Sequence, residues 1–195
     1  MNILYVHGYG SKAYGETYYK LVEAIPEHKF FSTDYNQCNL TVALEELKTF
    51  IKENDISLVI GASLGGFMTM NLKGVSRIVV NPSLNPMNDI PESVNLVGCE
   101  ELVKNISDYW DFEEMNLCTI CYSTRDELFN SKYINDYKRL STNTFEVDCG
   151  HRLNDVAIQQ LKSFIIKHED YVVEYVEGLK KFDEIFNEVA KNFYI

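Results

Sequence analysis

The side chain best placed for chemistry in this sequence is a serine between closely spaced glycines. The segment 61–65 reads GASLG, directly after the apolar run Leu58–Ile60 and directly before a helical pattern. A sharp strand-to-helix turn leaves room only for small residues two positions before and after the serine, and it lifts the hydroxyl above the sheet. The helix start also favours developing negative charge. The pattern therefore predicts that Ser63 is a nucleophile.

A hydroxyl is a poor nucleophile until a base takes its proton, and that base needs an orienting carboxylate. At strand-turn-helix sites of this kind the chain order is serine, acid, histidine. Asp126 follows the apolar run Leu117–Tyr122, and His151 follows the run Thr144–Val147. This order predicts His151 as the base and Asp126 as the acceptor of its Nδ1 hydrogen bond.

Other side chains compete for both roles. Glu127 adjoins Asp126, and Asp148 lies three residues before His151, but the shorter side chain directly after the strand favours Asp126. None of the other histidines follows a late strand. They are His7, His28 and His168.

Acyl transfer also requires two N–H donors for the oxyanion, each of which contributes about 10²–10³-fold in rate. The first is expected from the backbone of Leu64, directly after the serine. The second is expected from the loop after the first strand, which reads HGYGS at residues 7–11. Gly8 and Gly10 allow this loop to curl toward Ser63, so the N–H of Tyr9 is the predicted second donor.

Short apolar runs alternate with helical patterns along most of the chain. This indicates an α/β fold with a mainly parallel six-stranded sheet and helices on both faces. The predicted strands are Ile3–Val6, Lys29–Ser32, Leu58–Ile60, Ile78–Val80, Leu117–Tyr122 and Thr144–Val147. The predicted helices are Thr17–Ile25, Thr41–Asn54, Gly65–Leu72, Tyr133–Leu140 and Asn154–His168. No repeat or low-complexity linker divides the chain, so residues 1–195 are predicted to form one domain.

Two stretches depart from the alternation. Residues 82–116 exceed the ~10–12 residues of a simple crossover, and we expect short, cap-like helices there. Substrate contacts are expected from Trp110, Leu84 and Tyr14, and the alternative for each is ordinary packing or an aromatic residue at the surface. From Val172 to Phe193 apolar residues recur at spacings of three and four, which predicts a helical extension over 169–195. This helix is expected either to pack on its own domain, to form the interface of a homodimer or to contribute to a substrate lid.

Composition excludes several classes of protein. With 18 Lys+Arg against 29 Asp+Glu the net charge is −11, which argues against a nucleic-acid partner because phosphate contacts need clustered basic residues. No run approaches the ~18 apolar residues of a membrane span, and the N-terminus lacks a signal peptide's basic flank. A cytoplasmic protein with no membrane partner is expected. The C-x-x-C pair Cys118 and Cys121 lies in an apolar strand, so core packing is favoured over a metal or redox site.

As a set, these motifs resemble those of α/β-hydrolases. More narrowly, ILYVHGYGS at 3–11, GASLGG at 61–66 and NPSLNP at 81–86 resemble the small YqiA-like bacterial esterases. The resemblance spans about residues 1–168. It implies a three-layer α/β-hydrolase fold and a serine esterase or thioesterase that acts on small acyl substrates without a cofactor.

The expected reaction is therefore hydrolysis of a small carboxylic ester or thioester through an acyl-enzyme on Ser63. Two alternatives stay open. One is an acyltransferase or peptidase of the same fold, and the other is a non-catalytic binding module that retains the fold.

Overall fold

A computed structural model describes residues 1–91, 93–109, 117–129, 132–141 and 143–166. Its strands are β1 (Asn2–Val6), β2 (Lys29–Ser32), β3 (Leu58–Ala62), β4 (Ser76–Val80), β5 (Cys118–Tyr122) and β6 (Asn143–Glu146). They form one sheet in the order β2-β1-β3-β4-β5-β6, and every pairing in it is parallel. The predicted α/β class and parallel sheet are confirmed, and each strand ends within two residues of its predicted bounds.

The connections between the strands are helical. The helices are α1 (Glu16–Ala24), α2 (Leu40–Glu53), α3 (Leu64–Met70), α4 (Pro86–Asp89), α5 (Cys99–Tyr109), α6 (Ile134–Leu140) and α7 (155–166). Local signals explain two of the starts. The side chain of Asn39 accepts the N–H of Val42 and caps α2, and Pro86 occupies the first turn of α4, where its missing N–H costs nothing.

The core lies on both faces of the central strands. Every residue of β4 and of β5 is buried, which explains why apolar residues such as Ile78, Val79 and Val80 follow one another there rather than alternate with exposed polar ones. Helix α3 is buried along its whole length and contacts β3, β4 and β1. Cys118 and Cys121 are fully buried on β5 and form no disulfide, and burial raises the pKa of the Cys121 thiol.

The stretch predicted to form a cap contains α4 and α5, which lie between β4 and β5. Short helices are thus present there as expected. Trp110 falls outside the described residues, as do Glu92 and residues 111–116.

Contacts divide the chain into two compact units, Met1–Ile158 and Gln159–Ile195. The first holds the entire sheet and all the candidate residues after its strands. Of the second, the structure describes the helical residues 159–166, so the predicted extension over 169–195 lies outside the described residues. None of the described helices has the length and apolar character that crossing a bilayer requires.

Candidate active site

Ser63 connects β3 to α3 through a sharp turn. Its backbone angles, φ 54° and ψ −119°, lie outside the helical and strand regions and cost a non-glycine residue about 1–3 kcal/mol. The surrounding backbone holds this conformation. The Ser63 N–H donates to the carbonyl of Val80 at 3.1 Å, and the Ser63 carbonyl accepts the N–H groups of Phe67 at 3.0 Å and Ser83 at 3.2 Å.

The glycines around this serine are required by crowding. A Cβ atom on Gly65 would collide with the carbonyl oxygens of Val6 and His7 at the end of β1, and one on Gly61 would collide with the backbone of Gly65. Backbone cannot move aside as a flexible side chain can, so only glycine fits at either position. Helix α3 therefore crosses close to the end of β1.

His151 and Asp126 meet at the carboxyl ends of β6 and β5. His151 Nδ1 lies 2.9 Å from Asp126 Oδ2, and Asp126 Oδ1 accepts the N–H groups of Leu128 at 2.8 Å and Phe129 at 3.0 Å. Burial opposes ionisation of this carboxyl group, but the hydrogen bonds from His151 and the two backbone N–H groups outweigh it and lower the Asp126 pKa. A charged Asp126 keeps the proton of a neutral His151 ring on Nδ1.

The two alternative acids bind elsewhere. Glu127 Oε2 accepts the backbone N–H of His151 at 2.7 Å rather than its ring. Hydrogen bonds from its own N–H and from that of His151 lower the Glu127 pKa. Asp148 pairs with the side chain of Arg125. Among the described carboxylates, Asp126 is the one hydrogen-bonded to the His151 ring.

The glycine-containing loop after β1 lies against the serine. A Cβ atom on Gly8 would stand 3.2 Å from Ser63 Cβ and 3.7 Å from Ser63 Oγ. The two residues predicted to donate to the oxyanion adjoin this contact along the chain. Leu64 is the first residue of α3, and Tyr9 comes next to Gly8. Both line the same cavity as Ser63.

His7 begins this loop and contacts its backbone. Its ring is buried, with Nδ1 3.0 Å from the Gly8 carbonyl oxygen. Nε2 stands 3.4 Å from Asp34 Oδ1, within ion-pair distance but not aligned as a hydrogen bond. The Tyr35 hydroxyl donates to the His7 carbonyl at 2.6 Å. The ring and the carbonyl group of His7 thus both take part in contacts that hold the loop after β1.

A cavity of ≈ 710 Å³ opens at this edge of the sheet, and Ser63 and His151 both line it. Its volume lies within the roughly 300–1,000 Å³ of typical small-molecule sites. Part of its wall is apolar. That part consists of Ile90, Pro91, Leu128, Phe129 and Leu153.

Two of the residues predicted to contact the substrate, Leu84 and Tyr14, do not line the cavity. Leu84 packs against the hydrophobic core, and Tyr14 is 52% exposed with its ring edge-on to Tyr18. Neither is part of the cavity wall that the structure describes. Part of the wall comes instead from the loops after β5 and β6, which sequence reasoning missed. The sequence did contain a signal for Leu128 and Phe129, because they lie two and three residues after Asp126.

Asp89 is a second contributor that the sequence did not reveal. It lines the cavity at the end of α4, and its carboxylate accepts hydrogen bonds from Ser83 Oγ at 2.5 Å, the Tyr133 hydroxyl at 2.9 Å and Lys132 Nζ at 3.1 Å. Burial raises the pKa of Tyr133 to about 12, so the phenol stays a donor at neutral pH. These bonds attach α4 to the residues before α6 and fix one side of the cavity.

Asn81 is another residue of the site whose role the sequence did not reveal. It lies at the end of β4, and its buried side chain forms hydrogen bonds with the loops after β5 and β6.

Within the described residues, no group of three or more His, Cys, Asp or Glu side chains is arranged to hold a metal ion.

The parallel sheet with a strained serine after β3 and a histidine after β6 is an α/β-hydrolase fold. The sequence profile of the Uncharacterised protein family (UPF0227) matches residues 2–166, and the chain belongs to that family. No sequence among the curated proteins matches this chain.

Solved structures share this fold. An α/β-hydrolase enzyme from the metagenome of lagoon sediments at Mar Chica, Morocco, superposes with a TM-score of 0.64 at 16% identity, over 87% of this chain and 92% of that one. Est1E from Butyrivibrio proteoclasticus, solved with ferulic acid bound, gives 0.62 at 12% identity, over 85% and 88%. The thioesterase domain from the curacin biosynthetic pathway gives 0.60 at 12% identity, over 85% and 90%. At such identities the likeness establishes the fold alone.

Proposed function

We propose that this protein is a serine hydrolase that cleaves a small carboxylic ester or thioester. The observation that carries the proposal is the 2.9 Å contact between His151 Nδ1 and Asp126 Oδ2 beside a cavity that His151 shares with Ser63. With the proton of a neutral ring held on Nδ1, Nε2 is free to accept the proton of a hydroxyl.

In the proposed reaction, Ser63 Oγ attacks the substrate carbonyl carbon while its proton passes to His151 Nε2. The N–H groups of Leu64 and Tyr9 stabilise the oxyanion of the tetrahedral intermediate. When this intermediate collapses, the alcohol or thiol leaves with the proton from His151, and the acyl group stays on Ser63.

The second half of the reaction repeats these steps with water. His151 accepts a proton from a water molecule, and the resulting hydroxide attacks the acyl-enzyme carbonyl. Collapse returns the proton to Ser63 Oγ and releases the carboxylic acid. Asp126 stays ionised throughout and stabilises each imidazolium that forms.

Two further observations support an acyl substrate of modest size. The cavity has an apolar wall on the side of Leu128, Phe129 and Leu153, which suits an acyl chain. The fold is also shared with a thioesterase domain, whose name denotes the cleavage of an acyl thioester.

The decisive test is labelling with a fluorophosphonate probe, which reacts with activated serines. Wild type and Ser163→Ala, which removes an exposed hydroxyl from α7, are expected to react, whereas Ser63→Ala is not. Hydrolysis of p-nitrophenyl butyrate should fall at least about 10³-fold in Ser63→Ala. Absence of labelling in the wild type, or equal hydrolysis by Ser63→Ala, would overturn the proposal in favour of a binding module.

Substrate class is tested with p-nitrophenyl esters and acyl-CoA thioesters of increasing chain length, with Ser63→Ala as the blank. Short or medium chains are expected to give the highest kcat/KM because the cavity is limited to ≈ 710 Å³. Activity that appears only when an added alcohol or amine accepts the acyl group would instead identify an acyltransferase. Cleavage confined to peptides would identify a peptidase.

A further inference from the structure

Asn81 lies directly after β4, the strand between β3, which precedes the candidate nucleophile, and β5, which precedes the candidate acid. Its side chain is 1% exposed, and its φ of 42° is in the left-handed region that asparagine tolerates better than most residues. Its backbone N–H donates to the Cys121 carbonyl at 2.9 Å. The residue is thus held in an uncommon conformation that turns its amide toward the neighbouring loops.

Both ends of this amide are bonded to the loops of the candidate site. Oδ1 accepts the N–H of Ser123 at 2.7 Å, on the loop that leads to Asp126. Nδ2 donates to the carbonyl oxygens of Gly150 at 3.0 Å and His151 at 3.3 Å. A planar amide offers donors and an acceptor in fixed relative positions, so these bonds set the distance between the two loops.

Ser63 is hydrogen-bonded to the same end of β4. Val80 precedes Asn81, and its carbonyl accepts the Ser63 N–H at 3.1 Å. Ser123 adds a second connection, since its hydroxyl donates to the Cys149 carbonyl. One short segment at the end of β4 therefore contacts the backbone of the loops that carry the nucleophile, the acid and the base.

We propose that Asn81 is a positioning residue that holds the His151 loop at the distance needed for the Asp126–His151 hydrogen bond and for proton transfer from Ser63. The inference rests on the proposed function for its kinetic consequence, but not for its structural one. Asn81 touches no substrate in this role and acts through His151. Misplacement of a catalytic group by about 1 Å costs on the order of 10²-fold in rate, which sets the size of the expected effect.

The test compares two buried asparagines changed in the same way. Asn81→Asp keeps the acceptor for Ser123 but replaces the donor with a carboxylate that faces two carbonyl oxygens. The control is Asn71→Asp at the end of α3, where Nδ2 donates to the Phe67 carbonyl at 3.0 Å, away from the His151 loop. We expect kcat for p-nitrophenyl butyrate to fall about 10²-fold in Asn81→Asp with KM within about 3-fold of wild type. Asn71→Asp should lose stability at nearly unchanged kcat.

A second variant guards against failure to fold. Asn81→Gly accepts a φ of 42° without strain and removes the amide without adding charge, and it should show the same selective loss of kcat. Equal kcat in Asn81→Gly and Asn71→Asp would overturn the positioning role.

A structural measurement separates this inference from the proposed function. In ¹⁵N-histidine-labelled protein, the ring N–H signal of His151, assigned by its absence in His151→Ala, reports the bond to Asp126. This signal should weaken or disappear in Asn81→Gly and persist in Asn71→Asp, whether or not the wild type hydrolyses esters. If it persists in Asn81→Gly the positioning role fails. If the wild type shows no Ser63-dependent hydrolysis, the proposed function fails instead.

Discussion

Asp126 and Glu127 are neighbours in sequence that bind different parts of the same histidine. Asp126 accepts from the ring of His151, and Glu127 accepts from its backbone N–H. One carboxylate therefore sets the ring's orientation, and the other fixes the loop from which the ring extends. Since the His151 loop keeps its hydrogen bonds from Asn81 when Glu127 is lost, loss of Glu127 should cost less than loss of Asp126.

This difference predicts the outcome of two substitutions at Glu127. Glu127→Ala removes the acceptor and should lower kcat about 5–10-fold, whereas Glu127→Gln retains an oxygen for the His151 N–H and should stay within about 2-fold of wild type. Steady-state kinetics on p-nitrophenyl butyrate measures both. Glu146→Ala is the control, because Glu146 is an exposed acid that bonds the Thr124 hydroxyl rather than the His151 loop. A loss in Glu127→Gln as large as in Glu127→Ala would contradict the backbone role.

At this scale the sequence indicated residue types and order but not partners. Ser63, Asp126 and His151 could be selected because each follows a strand, and strand ends are visible in apolar runs. The role of Glu127 could not be predicted because its partner is a backbone N–H, which has no sequence signature. The same holds for Asn81, whose donors point at carbonyl oxygens on a loop about seventy residues away.

Among the elements, α3 controls the geometry of the serine. It is a buried seven-residue helix whose first turn lies against the end of β1. Gly65 is the contact point, because any side chain there meets the carbonyl oxygens of Val6 and His7. The same contact brings the β1 loop, with its predicted oxyanion donor, next to the serine.

Gly65→Ala should therefore push α3 away from β1, lower the free energy of unfolding by about 3 kcal/mol or more, and abolish Ser63 labelling. The comparison is Gly74→Ala. Gly74 has a φ of 70° but nothing within 4 Å of an added Cβ, so its substitution should cost only the ~1–2 kcal/mol of left-handed strain and leave labelling intact. Urea unfolding and fluorophosphonate labelling test the pair. If Gly65→Ala were as stable as Gly74→Ala, the crowding argument would be wrong.

The free energy of unfolding of the whole molecule at acid pH should depend on the ionisation of Asp126. The folded state lowers the pKa of this carboxyl group, so between that pKa and the ordinary value of about 3.9 the unfolded chain binds more protons than the folded chain. The contribution of Asp126 to stability is thus present above about pH 4 and is lost as the pH falls through the folded-state pKa.

Asp126→Asn removes this contribution. The difference in free energy of unfolding between wild type and Asp126→Asn should be largest at pH 6–7 and should shrink below about pH 4. Asp136→Asn is the control, because the Asp136 side chain is 47% exposed and forms a surface ion pair with Arg139 at 3.7 Å. Exposed ion pairs contribute little to stability, so the difference in free energy of unfolding between wild type and Asp136→Asn should stay small at every pH. A constant difference for Asp126→Asn from pH 3.5 to 7 would show that the carboxylate gains nothing from its partners.

The sequence by itself determined the class of this protein. Apolar runs buried on both faces, separated by helical periods, specify a parallel sheet, because such strands must be covered by crossover helices. The glycines at 61 and 65 specify the turn at Ser63, since no other residue fits there. These are local patterns, and each is encoded in a few adjacent residues.

Only the tertiary structure decided which carboxylate meets His151, which residue ties the loops together and which side chains line the cavity. Each depends on contacts between segments far apart in sequence. Leu84 and Tyr14 lie next to the site's motifs along the chain, but Leu84 packs against the core and Tyr14 is exposed to solvent. Asp89 and Leu153, by contrast, reach the cavity from segments that are far apart in sequence. A local pattern shows that a residue follows a strand, but the packing of loops at the edge of the sheet decides what its side chain meets.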